Sequence, residues 1–277
     1  MKKIKKMFLQ RKATLIGLIL VLIILVAALG AGLFTQYTPD EMNVDYRLLG
    51  PSAFHLMGTD EFGRDLFSRV LYGARNSLFV AFFIVVVAVG LGLVFGLLAG
   101  YYPRVDSIIM RVMDGLMAFP GIVLAIAMMG AMGPSMVNVI VALGIVYTPR
   151  VARVVRSFIL TVRESQYIEA ARSIGAMDLR ILLRHILPNC ISPIVVQASF
   201  IFSYAILGEA ALSFLGVGVP ATLPSWGNIL SEGRVYMQIA PWLTVFPGLS
   251  IMITVLGLNM MGDGLRDYLD PRLQKQR

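Results

Sequence analysis

Lysine is almost missing from this chain: apart from Lys2, Lys3, Lys5, Lys6, Lys12 and Lys275 there is none. A phosphate-binding P-loop needs Gly-x-x-x-x-Gly-Lys-Ser/Thr, because its lysine neutralises the terminal phosphates. The sequence therefore offers no ATPase site of its own. Cysteine occurs once, at Cys190, which excludes an internal disulfide and reads as apolar filler at a helix start. The two histidines, His55 and His185, stand far apart without cysteine neighbours, so no metal site is expected. Neither has an evident acidic orienter in sequence, and no serine adjoins one, so no catalytic residue is expected.

Charge is scarce too. Only 14% of residues are charged against 57% hydrophobic, far outside the soluble norm. The apolar material comes in long blocks, which points to one membrane-embedded helical bundle. Six spans are expected, at about 13–34, 78–102, 115–133, 135–149, 190–215 and 241–261, against the ~20 residues a crossing helix needs. The fourth is short and is expected to run on as helix into the arginines that follow. The first is longer than the ~7–15 residues of a signal-peptide core, so an uncleaved anchor is expected.

The net charge of +8 would fit a nucleic-acid binder, but its distribution argues for topology instead. With the amino terminus inside, segments 1–12, 101–114, 150–189 and 263–277 hold 19 of the 24 Lys and Arg. That satisfies the positive-inside rule and puts both termini in the cytosol. No aromatic-interleaved basic patch accompanies the charge, so nucleic acid is not an expected partner and membrane lipid is. The expected organisation is an anchor (1–34), an extracytoplasmic segment (35–74), a five-helix core (75–265) containing the loop 150–189, and a cytosolic tail (266–277). In the outer segment Phe62, Leu66, Phe67, Val70 and Leu71 read as an interfacial apolar face.

Gly92, Gly96 and Gly100 recur every four residues, a spacing that lets another helix approach closely, for packing or for a gate. Pro120 is expected to kink the third span. Beyond the fourth span Arg150, Arg153, Arg156 and Arg163 fall on one helical side. Val151, Val154, Val155, Phe158, Ile159 and Val162 fall on the other. Glu209 is the one charge well inside a span, and an intramembrane carboxylate is a functional-site candidate by default. Its place about twenty residues into its helix puts it near the outer end, where snorkelling or a hydrogen bond to a neighbouring helix competes with a substrate contact.

Residues 169–188 form a charged stretch inside this greasy chain. Gly175 is expected to divide it into two short helices through a left-handed turn. Asp178 is expected to cap the second, Leu179, Leu182, Leu183 and Ile186 to form its apolar stripe, and Pro188 to stop it. The pattern Glu169-Ala170-Ala171, three residues, Gly175, then Leu187-Pro188 resembles the EAA loop of bacterial ABC importer permeases, with His185 standing where that pattern often has Ile. An ordinary cytosolic loop fits the residues but not the whole spacing.

The likeness extends further. Residues 58–78, Glu209 to Gly216, Pro224-Ser225-Trp226-Gly227, and the tail Gly262 to Leu273 resemble the dipeptide/oligopeptide/nickel branch of ABC importer permeases, in particular the shorter of its two paired permeases. The resemblance implies an all-α, six-helix membrane protein with a type I importer bundle and a cytosolic coupling helix. It implies a transport subunit in the bacterial cytoplasmic membrane, heterodimeric with a second permease. Two cytosolic ATPase subunits would bind ATP and Mg, and an extracytoplasmic solute-binding protein would deliver the cargo. No cofactor is implied for this chain itself. Glu169, Ala170, Ala171, Gly175, Leu187 and Pro188 would serve ATPase coupling, and Pro120 and Glu209 the pathway or gate. A secondary transporter is the rival, but it predicts several ionisable groups at mid-membrane. A non-transporting scaffold would leave the charged hairpin without a task.

Overall fold

The computed structural model describes residues 12–269, and the basic residues before Lys12 and the end of the tail, from Asp270, lie outside them. The described chain is mainly helical, with irregular segments at 35–65 and 215–225. Its main helices are α1 (Lys12–Leu29), α2 (Leu66–Tyr101), α3 (Pro103–Met117), α4 (Gly121–Met132), α5 (Met136–Val162), α6 (Gln166–Ser173), α7 (Asp178–Phe214), α8 (Trp226–Gly233) and α9 (Trp242–Leu269). Five of them, α1, α2, α5, α7 and α9, are long and apolar enough to cross a membrane, and the bent pair α3–α4 allows a sixth crossing.

The α2–α5 seam sets the architecture. A Cβ at Gly92 would strike Val151, one at Gly96 would meet the Val155 Cβ at 2.6 Å, and one at Gly100 the Ile159 Cβ at 2.8 Å. The four-residue glycine ladder is therefore a groove for the Val151–Val155–Ile159 ridge, and those three side chains are fully buried. Helix α1 lies on α9 by the same device, where Gly17 faces Met260 and Gly257 faces Leu20. Much of the rest of α1 is exposed, including Ile16, Leu22, Ile23 and Val26, as a lipid-facing anchor requires.

Several expectations change. The third span is not a straight helix kinked at Pro120. Instead α3 and α4 meet at 89°, and Pro120 caps α4 from the break. Proline supplies no N–H and disfavours helix at the residue before it, so the chain turns at Phe119–Pro120. Helix α3 is held crosswise because Asp106 accepts two hydrogen bonds from Arg156, at 2.5 and 2.6 Å, and Asp114 one from Arg153 at 2.6 Å. The α5 arginines are thus partly consumed inside the chain.

In the outer segment the expected interfacial face is absent. Leu66, Val70 and Leu71 are buried in the bundle core, Phe67 is half-buried, and only Phe62 is exposed. The reason is that α2 begins at Leu66, well before the expected span, with the Asp65 carboxylate capping it by accepting from the Ser68 N–H at 2.8 Å. At 36 residues α2 is ~54 Å long, far more than a ~30 Å hydrocarbon core, so its first turns stand clear of the membrane.

Candidate coupling surface and pathway site

The hairpin begins where α5 ends. Ser165 starts α6, and after Ser173 the chain reverses at Gly175 with φ of +81°, the left-handed conformation expected of it. Ile168 and Ala171 turn inward and pack with Ile181, Leu182 and Ile186. Glu169 and Ala170 face outward, beside Arg172 and Ser173. The outward tip, Ile174 to Met177, carries two large apolar side chains in the open: Ile174 is 86% exposed and Met177 is 80% exposed. A charged rim around exposed apolar residues is what a docking surface looks like.

Three readings of the second arm are corrected. Asp178 does not cap it: Met177 occupies the cap position, and the Asp178 carboxylate accepts from the Tyr101 hydroxyl at 2.5 Å. Arg172 lies over the Tyr101 ring at 5.6 Å, so both arms of the hairpin are tied to the end of α2. The apolar stripe is not Leu179–Leu182–Leu183–Ile186, because Leu179 and Leu183 are exposed while Ile181 joins Leu182 and Ile186 inside. A π turn over Leu182–Ile186 changes the helical period there. Nor does Pro188 stop the helix. The π turn just before it accommodates the missing N–H, and α7 continues to Phe214. Leu187 is half-buried and Pro188 exposed at the base of this helix.

Glu209 lies 21 residues beyond Pro188 along α7, about 32 Å at 1.5 Å per residue, so the structure does not bring it to the hairpin. It is fully buried, which rules out snorkelling. Its carboxylate accepts from Ser77 of α2 at 2.9 Å and from Ser213 at 2.8 Å. Ser77 in turn accepts from the Trp226 N–H, and Ser213 from the Val219 N–H. Glu209 is thus the centre of a knot joining α2, α7 and α8. Pro120 sits apart from it, beside α5, where a Cβ on neighbouring Gly121 would meet Val146 at 3.1 Å.

A second polar knot was not visible in the sequence. Asp60 accepts from Arg64 at 2.6 Å and from Arg69 at 2.5 Å, and Glu232 of α8 accepts from both arginines, at 3.0 and 2.6 Å. All but Glu232 are deeply buried. Glu61 stands beside it, and burial, followed by the neighbouring Asp60 and Glu232 charges, pushes its carboxyl above the usual range. Asp60, Glu61 and Glu232 lie close enough together to share a cation, but two guanidinium groups already occupy the cluster, which makes it an ion-pair network. His55 also has the acidic partner its sequence neighbourhood does not show, with Nδ1 2.9 Å from Asp65. The only sequence hint of either feature is that charges buried in so apolar a chain must find partners.

The profile of the family described as the binding-protein-dependent transport system inner membrane component matches residues 92–275. That of the N-terminal membrane domain of oligopeptide transport permease C matches residues 1–51. Among relatives, the dipeptide transport system permease DppC of Alkalihalophilus pseudofirmus is 48% identical over 99% of this chain and 89% of its own length. The glutathione transport system permease GsiD of Pectobacterium atrosepticum is 47% identical over 96% of this chain and 88% of its own length. The di/tripeptide permease DppC of Pseudomonas aeruginosa is 42% identical over 99% and 93%. Among solved structures, an inward-facing form of the methionine ABC transporter MetNI matches with a TM-score of 0.61 over 73% of this chain and 96% of that one, at 18% identity. That last likeness shows the type I importer fold. The chain belongs to the binding-protein-dependent inner membrane transport family, as a multi-pass permease component of an ABC importer.

Proposed function

We propose that this chain forms one half of the translocation pathway of an ATP-driven importer for short peptides in the bacterial cytoplasmic membrane, with both termini in the cytosol. Its other half is a second, non-identical permease. Two ABC ATPases hold ATP and Mg and seat the outward face of α6, and an extracytoplasmic binding protein delivers the cargo to the end bearing α8. The observation that carries this reading is the hairpin 166–188, anchored to α2 through Tyr101 yet presenting Glu169, Ile174 and Met177 to nothing within the described chain. A membrane protein gains nothing by exposing apolar side chains at a charged tip unless another subunit covers them. The cargo class rests on relatives named for dipeptides, di/tripeptides and glutathione.

Peptide uptake into vesicles, with ATP and ionophore varied independently, tests the proposal. Uptake is expected to survive collapse of the proton gradient while ATP is held constant, and to stop when the partner ATPase is inactivated. Uptake that follows the gradient and ignores the ATPase overturns it.

A further inference from the structure

Arg150 differs from the other arginines of α5. Arg153 and Arg156 are each paired with an aspartate of α3, whereas among the described residues no carboxylate pairs with Arg150. Its guanidinium instead lies over the Tyr204 ring at 4.5 Å and the Tyr147 ring at 5.7 Å. The tyrosines hold each other: the Tyr147 hydroxyl donates to the Tyr204 carbonyl at 3.0 Å, and Gly208 leaves the slot into which that hydroxyl fits. Arg150 and Tyr204 are both exposed on the surface of the bundle.

The depth of this cluster follows from the α2–α5 seam. Val151 sits against Gly92, nine residues before the end of α2 at Tyr101, or ~14 Å at 1.5 Å per residue. Tyr101 is itself tied to the hairpin, so the cluster lies about that far from the hairpin along the bundle, and a permanent charge held there against tyrosine rings does not face lipid tails. Below the cluster runs a groove of about 690 Å³ lined by α5, α7 and Arg266 of α9. Val154 and Phe158 of its wall lie four and eight residues after Arg150, and Phe200 lies four before Tyr204, so the groove runs along the same helix faces and leads toward the cluster. Asn189, Ser192 and Gln197 give that wall polar groups that a lipid-facing surface would lack.

We propose that Arg150, framed by Tyr147 and Tyr204, is a binding site for the carboxylate of the cargo as it passes along this groove. The inference rests on the short-peptide reading above. A guanidinium with no acid partner presents its fork of N–H donors to a carboxylate, which it binds bidentately. The tyrosine rings fix its direction while leaving those in-plane donors free. The ring faces also suit small apolar side chains, so the site reads one end of a peptide and tolerates the rest.

The test uses the assembled permease–ATPase complex in nanodiscs without nucleotide or binding protein, so that the binding protein's own selectivity is removed. Saturation-transfer NMR compares dialanine with dialanine amide. Wild type is expected to favour the acid by roughly tenfold, the worth of a charge-assisted hydrogen bond. Arg150→Ala should equalise the two ligands, Arg150→Lys should give an intermediate ratio, and Tyr204→Leu should lower the ratio with the charge retained. Absence of a dialanine signal on wild type, or a ratio unchanged in Arg150→Ala, overturns the site. So does loss of the second permease from purified Arg150→Ala complex, which would assign Arg150 to subunit assembly. Binding-protein-dependent uptake of dialanine by wild-type proteoliposomes is run alongside: its failure counts against the peptide reading, whereas uptake with an unchanged acid-to-amide ratio counts against Arg150 alone.

Discussion

At the scale of single residues, the buried acids of this protein carry different burdens. Glu209 is satisfied by two serine hydroxyls that themselves accept from backbone N–H groups. Glu209→Gln keeps an acceptor in the knot and is expected to retain at least half of wild-type uptake. Glu209→Leu orphans Ser77 and Ser213 at about 1–3 kcal/mol for each buried group and should reduce the amount of folded protein in the membrane. Quantitative blotting of membranes together with vesicle uptake separates the two, and abolished uptake in Glu209→Gln at normal abundance would make the carboxylate itself functional. Glu61 differs in its partners: one carboxylate oxygen is buried without a hydrogen bond, and burial together with the Asp60 and Glu232 charges holds the carboxyl above its ordinary range. A carboxyl raised in the folded state favours folding while it is protonated, below its unfolded pKa, and that contribution is lost as pH rises through the folded value. Glu61→Gln is therefore expected to raise the thermal midpoint of the purified protein at pH 7.5, with the gain disappearing as pH approaches 4. An equal gain at both pH values would refute the electrostatic account. Neither environment is legible in the sequence, because Ser77 and Glu209 are 132 residues apart and Arg69 and Glu232 are 163.

At the scale of elements, the sequence shows local patterns well and their joins poorly. The glycine ladder on α2, the continuous α5 beyond Pro149 and the left-handed Gly175 all follow from spacing alone. Spacing failed at prolines, since Pro188 sits inside α7 thanks to a π turn whereas Pro120 breaks the chain through 89°. A proline removes one hydrogen bond wherever it occurs, and whether the helix bends or absorbs the loss depends on what packs around it. At Pro120 the α3 aspartates pull the preceding helix across α5, a pairing over 39 and 50 residues of sequence. The glycine seam gives a sharp test. Gly96→Leu forces a side chain into Val155 and the Ala152 carbonyl, 2.6 and 2.8 Å from the new Cβ, whereas Gly90 on the same helix has open space around it. Overpacking costs about 1–3 kcal/mol or more where backbone must shift. Gly96→Leu should therefore lower the melting temperature in detergent by several degrees, and Gly90→Ala should leave it unchanged or slightly higher. Equal effects would mean that α2 and α5 do not meet along this ladder.

At the scale of the whole molecule, one helix joins the two ends that transport must link. α7 starts in the hairpin, lines the groove from Pro188 to Phe200 and ends in the Glu209 knot, where α8 and its ion pairs to Arg64 and Arg69 are tied in. In the proposed importer, such a continuous element would carry a push on the hairpin to the far side, provided both ends have two arrangements. In the importer proposed above the hairpin would be the input, and its outward charge and its turn are separable. Glu169→Lys reverses the charge on the exposed face of α6 without touching the buried Ile168 and Ala171. Gly175→Val leaves every charge in place but puts a β-branched residue at φ of +81°, which costs about 1–3 kcal/mol and favours another course for the tip. Both are expected to reach the membrane at normal abundance, since the bundle seams lie elsewhere. Glu169→Lys should weaken retention of the ATPases on purification several-fold, as like-charge contacts do at an interface. Gly175→Val should retain more of the ATPase yet lose most peptide-stimulated hydrolysis, because the docked surface is present but misaligned. Co-purification and ATP hydrolysis in proteoliposomes with the binding protein measure the two effects, and wild-type values for both variants would remove the hairpin from the coupling path.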